Sequence, residues 1–134
     1  MEEGEHFIPQ SIQIALGKRL ETLSEDARAA LSLASVLGRE FDMDVLLSMS
    51  EWDEDRMLDA LDEAIKAQLI TELRMHGKET YRFAHALLAQ VIYDAINTRR
   101  RARFHQQAGE SLERVYARKL EEQVEALAYH FSRA

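Results

Sequence analysis

Tyr81-Arg82-Phe83-Ala84-His85-Ala86-Leu87-Leu88 is the stretch whose residue types and spacing come nearest to chemistry. Tyr81 and Phe83 alternate with Arg82 as in a half-buried strand, and Leu87, Leu88, Val91, Ile92 and Ile96 then recur at helical spacing, so His85 falls at a helix start. The first N–H groups of a helix have no intrahelical partner and the dipole is positive there, so an imidazole at that place can help to receive a phosphate from a neighbouring surface. Local packing or capping is the other reading open to the same histidine.

A second group with potential for binding is the basic run Arg99-Arg100-Arg101-Ala102-Arg103, preceded by two candidate helix caps, Asn97 and Thr98. Cations in a first turn oppose the helix dipole, so helix stability does not explain them. Their charge is expected to meet either this chain's own carboxylates, Asp94 and Glu110 among them, or an external phosphate or partner. No catalytic constellation stands beside these groups. The sequence has no glycine-rich phosphate loop, no cysteine nucleophile, no His-Glu-x-x-His pair and no serine in a nucleophile-elbow context, and its five histidines (His6, His76, His85, His105, His130) lack metal-ligand spacing. Carboxylates at helical spacing, such as Asp55 with Asp59, read as a solvated face. The chain is therefore expected to be a non-enzyme without a metal site.

The elements that position these residues are mostly helices. The only proline, Pro9, suits a first helical turn, and Ile12, Ala15, Leu16, Leu20 and Leu23 follow on one face of a helix over about 9–23. Ser24 can cap a second helix with Ala27, Ala30, Leu31, Ala34 and Leu37 inward and Gly38 at its end. After a loop at Arg39-Glu40-Phe41, Asp42 can cap a short third helix carrying Val45, Leu46 and Leu47. Following a polar break over Ser48-Met49-Ser50-Glu51-Trp52, Asp53 can cap a fourth with Met57, Leu58, Leu61 and Ile65 inward. Leu69–Arg74 and Glu79–Phe83, joined through Gly77, read as a β-hairpin. Helix, short helix, turn, helix, hairpin is the order of a winged-helix domain. Three more helices are expected at about 86–96, 99–117 and 119–132, the last two forming a helical hairpin with Phe104, Ala108, Leu112 and Val115 inward on one arm and Leu120, Val124, Leu127, Ala128 and Phe131 on the other. The expected fold is thus mainly α: a winged helix over 1–97 with a two-stranded β-hairpin, then an α-helical hairpin over 98–134 that could begin a solenoid.

The 134 residues have room for a sizeable core. Their 24 acidic against 17 basic side chains give a net charge of −7, which disfavours nonspecific attraction to nucleic acid or anionic membrane. The helix that would enter a DNA groove, Asp53–Glu63, carries six carboxylates and one arginine, so its phosphate contacts would be repulsive, and direct DNA binding through it is not expected. His76 and Lys78 at the hairpin tip offer little more. No cysteine is present, no apolar run is long enough to span a bilayer, and the acidic start lacks the order of a secretory signal, which together suit a cytoplasmic protein.

Four blocks, in order, carry a resemblance: Pro9-Gln10-Ser11-Ile12 with Arg19-Leu20-Glu21-Thr22-Leu23; Ala34-Ser35-Val36-Leu37-Gly38-Arg39-Glu40-Phe41; Leu58-Asp59-Ala60-Leu61-Asp62-Glu63; and Tyr81 to Leu88 with Val91-Ile92-Tyr93. Together they resemble the region after the ATPase core in signal-transduction ATPases with numerous domains (STAND ATPases), particularly bacterial members fused to nucleotide-cyclase or LuxR-type regulator modules. The resemblance implies a winged helix that closes over a nucleotide-binding domain and is followed by tetratricopeptide-like helices. It also implies a nucleotide-sensing place for His85, with Arg82 beside it, in such a parent protein. His85 is similar in place to the histidine of the Met-His-Asp motif in NB-ARC relatives, which senses the β-phosphate of ADP in the closed state. Ala84 and Ala86 stand where that motif has Met and Asp. The phosphate loop and acidic metal-binding strand of such an ATPase are not in this sequence, so the fragment is expected to hold no cofactor, ADP or ATP being bound by the missing core. Its expected partners are that nucleotide-binding domain and downstream helical repeats. Two other functions fit the same residues: a DNA-binding winged-helix transcription regulator using Arg99, Arg100, Arg101 and Arg103, or a helical protein–protein adaptor.

Overall fold

The computed structural model describes the backbone of residues 9–75 and 78–132, and the side chains of those residues apart from 74–78 and 122–132. Six helices and three strands follow in the order α1 (Gln10–Glu21), α2 (Glu25–Leu37), β1 (Glu40–Asp42), α3 (Met43–Ser50), α4 (Glu54–Lys66), β2 (Ile70–Met75), β3 (Lys78–Phe83), α5 (Ala86–Ala95) and α6 (Thr98–Ser132). The chain is mainly helical with a small antiparallel sheet of strand order β1-β3-β2, which is the connectivity of a winged helix.

Cap chemistry sets most of the boundaries. Ser24 Oγ accepts from the Ala27 N–H at 3.1 Å, Asp42 Oδ1 from Asp44 N–H at 2.6 Å, and Asp53 Oδ1 from Arg56 N–H at 2.8 Å, each satisfying a donor that the first turn leaves orphaned. Gly38 ends α2 at φ 119°, a region closed to other residues. Helix α4 ends instead on Gln68 in the left-handed region (φ 63°), with Gln68 N–H donating to Ile65 O at 2.9 Å and Leu69 N–H to Ala64 O at 3.0 Å, a Schellman arrangement without its usual glycine. Arg19 fastens α1 to this turn by donating to Ala67 O at 2.8 Å. Along α2 and α4 the facing residues are small or free of β-branching, Ala27, Ala30 and Ala34 against Met57, Ala60, Leu61 and Ala64, all buried, so the two helices pack closely.

Three expectations are corrected. Arg39-Glu40-Phe41 is not all loop: Glu40–Asp42 pairs with β3 in the register Glu40↔Arg82, Phe41↔Tyr81, Asp42↔Thr80, making the sheet three-stranded. Phe41 is drawn there because its ring, 3% exposed, stacks on Tyr81 at 5.7 Å and meets Phe83 at a tilt, 5.4 Å between centroids. The α-helical hairpin expected over 98–134 is absent: Thr98–Ser132 is one helix of 35 residues. Ala117, Arg118 and Lys119 at the expected break are strong helix formers, and neither Gly nor Pro interrupts them. Ala108 and Val115 of α6 are buried in the same core as α2 and α3, and Arg114 Nη2 donates to Ser48 Oγ at 2.8 Å, while Leu120 is 59% exposed rather than inward. The positions Val124, Leu127, Ala128 and Phe131 fall where side chains are not described. Leu16 of α1 and Leu23 just after it are buried as expected, but Ile12 and Ala15 lie exposed.

A carboxylate joins the start of α2 to α4. Glu63 accepts from Ser24 N–H and from Ser24 Oγ, both at 2.7 Å, and these bonds hold its carboxyl below the ordinary carboxylate range. A depressed folded value gives stability that is present above the unfolded value of about 4.3 and is lost as pH falls through the folded one. Asp26 behaves in the same direction because Arg56 donates to it. Glu63→Gln should therefore flatten, without abolishing, the fall in urea stability between about pH 6 and pH 3, Asp26 retaining its share. An unchanged pH profile would remove Glu63 from the network.

Candidate functional site

His85 lies at the joint between β3 and α5, and the joint is held from both neighbouring segments. Phe83 N–H donates to Arg39 O at 2.9 Å, Arg39 Nε donates to Phe83 O at 3.4 Å, and Ala84 N–H donates to Leu69 O at 2.9 Å. With Phe83 wholly buried beneath it, the backbone that presents His85 has little freedom. His85 is the N-cap residue of α5 with extended backbone (φ −138°, ψ 140°), and its imidazole makes no capping bond and is exposed. It does not cap the helix, and it is not buried. No acidic residue occupies the first turn of α5, so the partial positive charge of that terminus is uncompensated by its own helix. Leu88 N–H is satisfied by His85 O at 3.0 Å.

Arg82, on the strand before the joint, is engaged. Its Nη2 and Nε donate to one oxygen of Glu40, Oε2, at 2.7 and 3.0 Å across the β1–β3 pair, with both side chains nearly half exposed. An exposed pair of this kind is worth about 0–1 kcal/mol, so an arriving phosphate could take the guanidinium from Glu40 at small cost. His85 and Arg82 are thus brought to one end of the sheet, one free and one exchangeable.

The acidic helix keeps its sign. At the cap and along α4, Asp53, Glu54, Asp55, Asp59 and Asp62 are exposed, and its single arginine is engaged at the surface: Arg56 Nε and Nη2 donate to Asp26 at 2.9 and 3.0 Å, and the guanidinium carbon sits 4.1 Å over the Trp52 ring. The Asp26 carboxyl is held low and Arg56 correspondingly high by this contact. The only other cation of α4 is the exposed Lys66 in its last turn, outnumbered by the carboxylates around it.

The basic run divides. Arg101 is structural: its Nη2 donates to Ile96 O at 2.9 Å and its guanidinium carbon lies 4.6 Å over Tyr93, whose hydroxyl is 2.8 Å from His105 Nε2. Arg99, Arg100 and Arg103 are exposed and make no side-chain hydrogen bond or ion pair among the described residues. Among the described residues Asp94 and Glu110 do not neutralise them; those carboxylates accept from Gln90 and Gln106, one turn away on their own helices. Asn97 rather than Thr98 caps α6, its Oδ1 accepting from Arg100 N–H at 2.8 Å. One feature escaped sequence reading: a cleft of about 620 Å³ whose lining is drawn from the ends or faces of five helices, with Arg28, Trp52 and Arg100 at its margin. Residues so far apart in sequence leave no local signal. Among the described residues no group of three or more His, Asp or Glu could hold a metal ion, and no helix is long and apolar enough to cross a membrane.

Comparison with known proteins finds no family model that matches the chain and no curated sequence that matches it significantly.

Proposed function

We propose that this chain is a non-catalytic regulatory module of a multidomain signalling ATPase of the STAND type, working in the cytoplasm and coupling the nucleotide state of an ATPase core to downstream helices and partners. The observation that carries this reading is His85: an exposed imidazole at an uncapped helix start, on a backbone joint braced by Arg39 and Leu69. Side chains that are braced yet unpartnered are suited to wait for a ligand presented by another surface. The four sequence blocks that resemble the region after such a core supply the second support. ADP held by the core would bridge to His85, with Arg82 exchanging Glu40 for phosphate, and so favour a closed state. Exchange for ATP would remove that contact and release the winged helix, a shift bounded by the differential contact energy, typically about 1–3 kcal/mol.

In the protein that carries this chain behind its ATPase core, His85→Ala should speed ADP release by about 5- to 150-fold and raise basal signalling, while leaving the melting temperature of the isolated chain unchanged. An unchanged ADP off-rate would sink the sensing role, as would a reading frame with no phosphate loop upstream.

The competing reading, a DNA-binding regulator, draws on Arg99, Arg100 and Arg103 alone. With α4 acidic and Arg56 tied to Asp26, binding to duplex DNA near 0.15 M salt should be weak and insensitive to sequence in fluorescence anisotropy. Nanomolar, sequence-dependent binding that disappears on replacing those three arginines by alanine would decide for the regulator.

A further inference from the structure

The cleft between α2 and α6 has a character opposite to the rest of the molecule. In a chain of net charge −7, its lining contains Arg28 and Arg100 and no carboxylate. Neither guanidinium makes a hydrogen bond or ion pair among the described residues, and both residues are exposed. Beneath them the floor is apolar: Leu31, Met49, Ile92 and Ile96 are buried, and the rings of Trp52 and Phe104 are half-buried at its sides. Ala29, Ser32 and Ala95 stand where larger side chains would fill the opening, so another backbone can come close.

The dimensions select the occupant. Arg100, Phe104 and Gln107 line the cleft from α6 at positions i, i+4 and i+7, which is two turns or about 10 Å of helix, and Arg28 and Ser32 line it from α2 one turn apart. A groove of that length between two helices accepts the i, i+3/i+4, i+7 face of a third. Its volume, about 620 Å³, has room for two or three bulky apolar side chains. Two unpaired guanidiniums at the margin then call for carboxylates on the flanks of the incoming helix.

We infer that the cleft between α2 and α6 is the docking groove for an acidic amphipathic helix of a partner protein, its apolar face seated on Leu31, Ile92 and Phe104 and its carboxylates paired with Arg28 and Arg100. The groove borders the C-terminal end of α5, at Ala95 and Ile96, whereas His85 stands at the N-terminal end, about 15 Å away along ten residues of helix. The docking groove is therefore separate from the nucleotide-sensing reading, and either can fail alone.

Trp52 is the only tryptophan and lines the groove, so its emission reports occupancy directly. The probe is a tryptophan-free peptide of about 16 residues, long enough to form a helix, with Leu along one face and Glu along the other, compared with its Lys counterpart and with decanoate. The Glu peptide should shift Trp52 emission saturably. The Lys peptide should not, and an Arg28→Glu/Arg100→Glu variant, whose exposed changes leave the far-UV circular dichroism unaltered, should bind the Glu peptide at least about tenfold more weakly. Equal binding of the Glu and Lys peptides, or unchanged affinity in the double variant, would overturn the inference. So would a saturable response to decanoate with none to the Glu peptide, which would assign the cleft to a small anionic amphiphile.

Discussion

Phe83→Ala should lower the melting temperature of the chain by on the order of 10–25 °C, the largest effect of any single truncation expected here. Phe83 is fully buried, is the last residue of β3, packs 5.4 Å from Phe41 and pairs in register with Ile70 of β2. Removing a buried phenyl costs about 3–5 kcal/mol through lost transfer energy and the cavity left behind, against a total stability of about 5–15 kcal/mol for a typical domain. The same ring supports the joint that carries His85, so the substitution should also loosen Ala84 and His85, read as faster amide exchange at Ala84, whose N–H is bonded to Leu69 O. His85→Ala, two residues on and exposed, should leave the melt where it is. A fall of less than about 5 °C for Phe83→Ala would mean that the sheet is not anchored through this ring. Leu61→Ala, 1% exposed on α4, should cost about 2–5 kcal/mol by the same mechanism.

The second large effect is a distance. The sequence contains no cysteine, so a pair introduced at Gln106 and His130 can be spin-labelled without interference. In one continuous helix those positions are 24 residues apart, about 36 Å. A helix turning near Arg118 would bring them to about 10 Å, the spacing of packed helices. A distribution centred near the longer value is the expected outcome, and one centred near the shorter would restore the helical hairpin.

Much of the fold was legible because its determinants are local. Ser24, Asp42 and Asp53 announce helix starts by cap chemistry that acts within three residues, and the change from alternating Tyr81 and Phe83 to helically spaced Leu87, Leu88 and Val91 marks the joint at His85. Strand β1 was not legible. Three residues show no period, and its partner lies about 40 residues downstream. The break expected near Arg118 came from expecting two arms where the residues between them favour helix, so propensity decides for one. At the candidate site the imidazole could be placed from sequence, but the Glu40–Arg82 pair could not, since it exists only once β1 lies against β3. The same limit hid the groove: Arg28, Trp52 and Arg100 meet only after α2, α3 and α6 are packed.

One length in the structure has a mechanical meaning. Helix α6 is tied to the winged helix along its N-terminal half, through Ala108, Val115 and Arg114, and again where Lys119 Nζ meets Asp42 at 3.2 Å. From Lys119 to Ser132 it runs on for 13 residues, about 20 Å of stiff rod. A rod rooted in a domain amplifies the rotation of that domain. A tilt of about 10° at the root carries the far end sideways by about 3.5 Å, comparable to the shifts by which packed helices change partners. An uninterrupted helix thus transmits orientation as displacement, whereas a turn near Arg118 would have absorbed it.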